Sequence, residues 1–281
     1  MSKNCIVCSS NGSTPLYSGI LKCSSCGYVY ADLEMNQSEF EALYAVGYFN
    51  GEEYSNYLSD QKNHEKNFRL RLRLFDKYID PHKHESLLEI GCAYGFFLNL
   101  VKDKFKSVVG VDITNEGVLY AKNQLQLNAH KVDLLQWDFE NYKFDIVCMW
   151  DVIEHLKSPD LYLKKISENM TSGGILSITT GDIDSAMAKF RGRRWRLIHP
   201  PTHAHYFSKS TLSRLLDRYG FDIVNIEYCG FHRSIDNIAY NIFVLRLQMP
   251  VIYRILKKLH ITNLGVYLNL HDIMYVIAKK R

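Results

Sequence analysis

Hydrophobic positions along the chain fall into two rhythms. From Ser86 onward, short runs rich in Val, Ile and Leu alternate with stretches whose apolar residues recur every three or four positions. Runs of the first kind form buried strands and the second period is helical, so the pattern predicts strand-helix-strand units around a mostly parallel sheet. Seven strands are expected, at SLLEIG, SVVGVD, AHKVD, FDIVCMW, GILSITT, FDIVNIEYC and HDIMYVIAKK. The helix before the sixth is punctuated by Ser208, whose oxygen can accept from a free first-turn amide, and by Gly220 at its end.

The fold class expected is therefore α/β, a doubly wound seven-stranded sheet occupying residues 86–281. Two segments precede it. Residues 1–31 are rich in Cys, Ser and Gly and too poor in apolar side chains for a core of their own. Residues 32–85 read as a helical linker or lid, laced with Tyr44, Tyr48, Phe49, Tyr54 and Tyr57 and closing on the basic amphipathic run NFRLRLRLFDKYI. Within the main domain, about 231–268 is longer than a plain connection and reads as a helical insertion. Its amphipathic, basic helices either cover a pocket or, through 238–258, touch a membrane surface.

The first segment has its own chemistry. Cys5 and Cys8 form one C-x-x-C pair, and Cys23 and Cys26 form a second at ribbon spacing. Four thiolates close a tetrahedral shell around Zn²⁺ and leave no open position, so the metal expected here is structural. Metal binding worth roughly 10–16 kcal/mol makes up for the missing core. Cys92, Cys148 and Cys229 are scattered and read as buried thiols.

In LLEIGCAYGFFLNLV a strand runs through Glu89 into Gly91, Cys92, Ala93, Tyr94 and Gly95 before a helix. Asp112 and Ile113 end the next strand, where a carboxylate can accept from both hydroxyls of a ribose. A dinucleotide site would want G-x-G-x-x-G against pyrophosphate. Here the pattern is E-x-G-x-x-x-G, and a carboxylate ahead of the turn repels pyrophosphate but suits a cofactor carrying an ammonium and a sulfonium.

Together, LLEIGCAYG, VVGVD, the acid before FDIVCMWDVIEHL, and HYFSKSTLSRLLDRYGF resemble the class I S-adenosylmethionine-dependent methyltransferases. The resemblance implies that Glu89, Gly91, Cys92 and Gly95 surround the methionine part of S-adenosylmethionine. Asp112 and Ile113 would take the ribose, Asp133 or Asp138 the adenine edge, and Trp150 and Asp151 would face the methyl group. It also implies an antiparallel last strand. With the ribbon added, the chain is similar to zinc-containing methyltransferases of bacterial surface-polysaccharide and deoxysugar pathways. In the sugar C-methyltransferases among them a Tyr-His-Glu-His run ends at the position of His203; Pro200, Pro201 and Thr202 precede it here, which favours oxygen over carbon methylation.

The acceptor expected is thus a small-molecule or lipid-linked glycan. Arg191, Arg193, Arg194 and Arg196, after the fifth strand, suit a phosphate. His203 is the candidate general base, with His205 and then Asp151 in reserve, since an imidazole titrates near neutrality. A runner-up comes from DVIEHL: Asp151, Glu154 and His155 at i, i+3, i+4 resemble the metal-holding run of ubiquinone-pathway O-methyltransferases. A zinc-ribbon RNA-binding methyltransferase or adaptor is the remaining class, kept open by Arg69, Arg71 and Arg73. The net charge of +4 is too small to expect nucleic acid as a partner. The polar N-terminus predicts a cytoplasmic protein, with peripheral contact to the membrane's inner face as the other possibility.

Overall fold

The structure is a computed structural model that describes residues 4–43, 57–139, 143–258 and 265–281. Tyr44, Tyr48, Phe49 and Tyr54 of the tyrosine-rich stretch lie outside the described residues. In chain order, strands β1 (Ser13–Tyr17), β2 (Ile20–Cys23) and β3 (Val29–Ala31) lead to helices α1 (Gln37–Ala42) and α2 (Gln61–Phe75). The alternating part follows with β4 (Ser86–Ile90), α3 (Phe96–Val101), β5 (Ser107–Asp112), α4 (Asn115–Asn123), β6 (Ala129–Lys131), β7 (Phe144–Trp150), α5 (Pro159–Glu168) and β8 (Met170–Gly181). Then come α6 (Ala186–Arg191), β9 (His205–Tyr206), α7 (Lys209–Arg218), β10 (Phe221–Tyr228), β11 (Phe231–Ser234), α8 (Ile235–Ala239), a π-helical stretch over Tyr240–Arg246, α9 (Pro250–Lys258), β12 (Gly265–Leu268) and β13 (Ile273–Lys280).

All seven expected strands lie in one sheet, ordered β10-β13-β8-β7-β4-β5-β6. The five from β4 to β8 are mutually parallel where they pair, and β13 runs antiparallel to both neighbours. Because side chains alternate along a strand, each strand feeds two cores. Leu88, Ile90, Val147, Met149 and Val276 meet Leu163 of α5 and Leu212 and Leu216 of α7 on one face. Leu87, Ile146, Cys148 and Ile277 meet Phe97 of α3 and Val118 of α4 on the other. Ser208 caps α7 by accepting from the Thr211 amide, with the Thr211 hydroxyl completing a reciprocal box, and Gly220 leaves the helix at φ +81.

The order of strands reverses between β4 and β7, so the carboxyl ends of these strands open a crevice there. What closes it departs from expectation in three places. Helix α2 is a wall of the main domain rather than a tether: Phe68, Leu72 and Phe75 are buried in the second core, each burial contributing about 1.5–3 kcal/mol. The 231–268 insertion is not wholly helical, since β11 and β12 pair as an antiparallel ladder at its two ends. The N-terminal sheet also takes its fourth strand, β9, from the main domain.

Candidate functional site

Above the crevice lies a cleft of about 370 Å³. Its floor is the turn after β4. Gly91 sits at φ +75, and a Cβ there would come within 2.4 Å of Val152, so only glycine lets β4 turn beneath the segment after β7. Gly91 and Cys92 amides donate to the Val111 carbonyl at 2.8 and 3.2 Å, binding the turn to β5. Gly91, Asp112, Ile113, Asp133, Trp150 and Asp151 all line the cleft.

Other expected residues stand elsewhere. Gly95 starts α3 and is packed against Ala121 and Leu127. The Cys92 thiol faces the sheet, 2.8 Å from where a Cβ on Gly110 would be. Asp138 is exposed and off the cleft wall, whereas Asp133 lines it. Asp133 accepts from the Leu135 amide at 2.7 Å and the Tyr162 hydroxyl at 2.6 Å, so its position is fixed.

Asp112 is already heavily used. One oxygen accepts from the Thr114 amide and hydroxyl at 2.7 and 2.6 Å, the other from the Ala93 amide at 2.8 Å. Of roughly four lone-pair sites on a carboxylate, about one remains, fewer than two ribose hydroxyls would take. Burial still pushes its pKa up. Glu89 lies deeper, 2% exposed, its pKa pushed well up by burial and then by Asp112. Its Oε2 and the Trp150 indole nitrogen are buried without hydrogen-bond partners. Glu89 stands behind the cleft wall rather than on it, and two carboxylates, Asp112 on the wall and Glu89 behind it, suit a cofactor carrying an ammonium and a sulfonium, so the residues present fit S-adenosylmethionine.

The acceptor side is built from three segments. Asp151, at φ 56, is held in the left-handed region by its amide bonds to Thr179, and its carboxylate meets Arg71 at 2.6 Å. Arg71 also lies 5.3 Å from the Trp150 ring centroid and 5.4 Å from that of Phe68. His203 reaches the cleft from the loop before β9, its ring edge-on to His155 at 4.5 Å. Burial, then His155, holds the His203 pKa well below the ordinary imidazole value. His155 Nδ1 donates to the Thr202 carbonyl at 2.9 Å, which fixes its tautomer. Glu154 accepts from the Thr180 hydroxyl at 2.9 Å, and burial, then Asp151, pushes its pKa up to about 8.

Two expectations for this side need correction. His205 does not reach the cleft; its Nδ1 is paired with the Tyr28 hydroxyl, and burial pushes its pKa down to about 4. Arg191, Arg193 and Arg194 are exposed and off the cleft wall, Arg191 at the end of α6 and the other two on the 3-10 turn Gly192–Arg194 that follows it. Arg196 does line the cleft, bonded to the buried Asp272 at 2.8 Å and lying over the Phe231 ring, and Arg233 of β11 joins it. In the metal-like run, Asp151 is committed to Arg71 and Thr179, and the donor set that converges is Glu154, His155 and His203, within 4.8 Å of one another.

Arg71 and His64 were missed as site residues, though α2 carries a signal for them. Positions 64, 67, 68, 71, 72 and 75 form one helical stripe, and three polar residues, His64, Asn67 and Arg71, stand on it among Phe68, Leu72 and Phe75. All three line the cleft, and burial, then Arg71, pushes the His64 pKa down to about 4. Arg69 and Arg73, on the opposite face, are exposed.

The four N-terminal cysteines are free of disulfides and lie within 4.8 Å of one another, with sulfur pairs at 3.5 and 3.7 Å. A tetrahedron with Zn–S of about 2.3 Å has edges of about 3.8 Å, so the donor set fits zinc. Among the described residues no helix is long and apolar enough to cross a membrane.

Residues 59–226, more than half of the chain, match the family described as a methyltransferase domain. A ubiquinone biosynthesis O-methyltransferase of Pelagibacter ubique is 30% identical over 39% of this chain and 46% of its own length. One from Coxiella burnetii is 27% identical over 56% of this chain and 73% of its own. The chain spans about half the length of the Pelagibacter relative and of a Nitrosomonas europaea protein of the same description, 46% and 50%. Among solved structures, a SAM-dependent methyltransferase from Archaeoglobus fulgidus superposes with a TM-score of 0.53 at 22% identity, over 80% of this chain and 99% of that one. Magnesium protoporphyrin IX methyltransferase from Synechocystis, solved with SAH, gives 0.57 at 13% identity over 88% and 100%. Likeness at such identities establishes the fold.

Proposed function

The chain belongs to the methyltransferase-domain family, and from that premise we propose that it methylates a hydroxyl of a nucleotide- or lipid-linked sugar, with His203 as the general base. S-adenosylmethionine, when bound, supplies an electrophilic methyl group on a positively charged sulfur. Glu89, Asp112 and the Gly91 turn would hold it, and Asp133 would meet the adenine edge. His203 would take the proton of the acceptor hydroxyl as that oxygen bonds the methyl carbon, and the C–S bonding pair would stay on sulfur. Alignment of the acceptor supplies the larger share of the rate, and a positioned base typically adds 10²–10⁴-fold.

The observation that carries this reading is the position of His203, a histidine on the cleft wall with His155 packed edge-on behind it. Arg196 and Arg233 support a phosphate-bearing acceptor, because guanidinium groups grip phosphate bidentately. A lipid-linked version is supported by α9, which buries none of its residues: Val251 and Ile255 are 56% and 53% exposed beside Arg254, Lys257 and Lys258. An apolar edge with a basic flank is what an anionic membrane surface takes up.

The test is SAH release on nucleotide-linked and polyprenyl-phosphate-linked sugars, with His203→Asn alongside. Turnover should fall at least a hundred-fold in the variant, on the order of the general-base contribution, with S-adenosylmethionine binding unchanged. Turnover within three-fold of wild type would remove His203 from the role, and methylation confined to phenolic acceptors would remove the sugar.

The convergence of Glu154, His155 and His203 favours a second reading, a divalent cation there serving a quinone-type phenol, which is the acceptor class named for the Pelagibacter relative. Manganese binding followed by electron paramagnetic resonance decides it. The second reading requires a site that Glu154→Gln abolishes while the cysteine-bound metal stays in place.

A further inference from the structure

The loop that carries His203 is clamped from outside the methyltransferase domain. Strand β9 is two residues long and, among the described residues, its only sheet neighbour is β3, with Val29 opposite Tyr206 and Tyr30 opposite His205. Just before it, the Ala204 carbonyl accepts from the Ala31 amide at 2.9 Å, while the Ala204 amide donates to the Glu154 carbonyl at 2.9 Å. One residue after His203, the backbone is thus pinned between the N-terminal sheet and the segment that holds Glu154 and His155.

The cysteines sit at the other end of this linkage. Cys26 is followed by Gly27 and then Tyr28, 2% exposed, whose hydroxyl pairs with His205 Nδ1 and whose ring packs on Phe207 at 5.6 Å. The Tyr206 hydroxyl, on the strand that β3 holds, donates to the His203 carbonyl at 2.8 Å. Cys5, Val7, Cys23 and Tyr28 share one packed cluster with Phe207 and Leu212 of the main domain.

We infer that the four-cysteine unit, closed by its metal, braces the loop that sets His203 against the acceptor, and that Tyr28 is a positioning residue for methyl transfer. The inference rests on the reading of His203 as the base. Among the described residues the unit contributes none to the cleft wall, so its effect reaches the site through β9 and the residues packed beside it. Misplacing a reacting group by about 1 Å can lower a rate a hundred-fold, and the cofactor half of the cleft, built on β4 and β5, should not register the change.

Tyr28→Phe keeps the ring and the cysteines and removes only the hydroxyl. Its kcat should fall roughly ten-fold while the Kd for S-adenosylmethionine stays within error of wild type, and the thermal midpoint should drop modestly because the buried His205 Nδ1 loses its partner. Hydrogen exchange read by mass spectrometry should quicken over residues 198–207 and remain unchanged over β4 and β5. Cys23→Ser, which opens the metal shell, should show the same pattern more strongly. Unchanged exchange over 198–207 in both variants would overturn the brace, as would a Tyr28→Phe protein whose cofactor affinity falls in step with kcat. If His203→Asn proved active, the base assignment would fall by itself and the exchange result would still judge the brace.

Discussion

Replacing Arg71 by Met should destabilise the fold by about 2–3 kcal/mol, most of it through Asp151. The Arg71 side chain is 12% exposed and meets Asp151, 41% exposed, at 2.6 Å. Removing one member of a fully buried pair costs about 3–5 kcal/mol, whereas an exposed pair contributes about 0–1. With one member buried and the other partly in water, the released carboxylate is partly re-solvated, which places the loss near ~2 kcal/mol. The cation over Trp150 and Phe68 adds about 0.5–1 kcal/mol, and Met retains the apolar contact. At about 2–4 °C per kcal/mol for a chain of this size, the thermal midpoint should drop by roughly 5–10 °C. Urea unfolding of wild type, Arg71→Met, Asp151→Asn and the double variant gives the coupling directly, expected at about 1–2 kcal/mol with the double variant more stable than Arg71→Met. A coupling below about 0.3 kcal/mol, the scatter of independent sites, would refute the account.

Asp112→Asn should weaken S-adenosylmethionine binding ten- to a hundred-fold by calorimetry, about 1.5–3 kcal/mol for one charge-assisted bond; an affinity equal to wild type would show that the ribose is held elsewhere. His64 has its pKa pushed down to about 4 by burial, so between pH ~6.5 and ~4 the unfolded chain binds a proton the native one refuses. Stability is therefore intact near neutrality and falls as pH drops through that window, by about 2 kcal/mol at pH ~5 from this residue. The loss between neutral pH and pH ~5 should shrink by that amount in His64→Gln, and an unaltered loss would exclude it as the cause. One zinc per chain should be found by elemental analysis and should vanish in Cys23→Ser; metal retained in that variant would place it at other ligands.

Strand positions were legible because parallel strands buried on both faces leave continuous apolar runs, and FDIVCMW matches β7 residue for residue. The Gly91 turn and Asp112 were legible for a related reason: backbone strain and a strand-end carboxylate are local features that a sequence carries in one stretch. The acceptor side was harder because its parts meet only in three dimensions. Arg71, Glu154, His203 and Arg233 come from four separate segments. Arg191, Arg193 and Arg194 misled because a charge run states where cations are along the chain and not which way a helix turns them. Arg71 was masked in the opposite way, as one of three alternating arginines of which only it points inward. The β3–β9 pairing carries no sequence signal, since a two-residue strand has no period to detect.

The family match ends at residue 226, and this boundary divides the acceptor wall of the cleft, with Arg71, Arg196 and His203 inside it. The turn after β4, the end of β5 and Asp133, which fit the cofactor, all fall inside it, whereas Phe231, His232, Arg233 and Asn237 fall outside. The matched span therefore carries the cofactor residues and part of the acceptor wall, and the part from Phe231 onward is this chain's own addition to the acceptor side. On this division Arg233→Gln should act on the acceptor alone. Loss of one charge-assisted bond to a phosphate, about 1.5–3 kcal/mol, raises the acceptor KM ten- to a hundred-fold when that bond is made equally in ground and transition states. The same variant should keep its affinity for S-adenosylmethionine and its kcat at saturating acceptor. Wild-type KM should also rise with ionic strength, and the variant's should rise less, because part of the screened attraction is gone. An unchanged KM in Arg233→Gln, or a loss confined to cofactor affinity, would place the acceptor's anion on another wall of the cleft and break the division at residue 226.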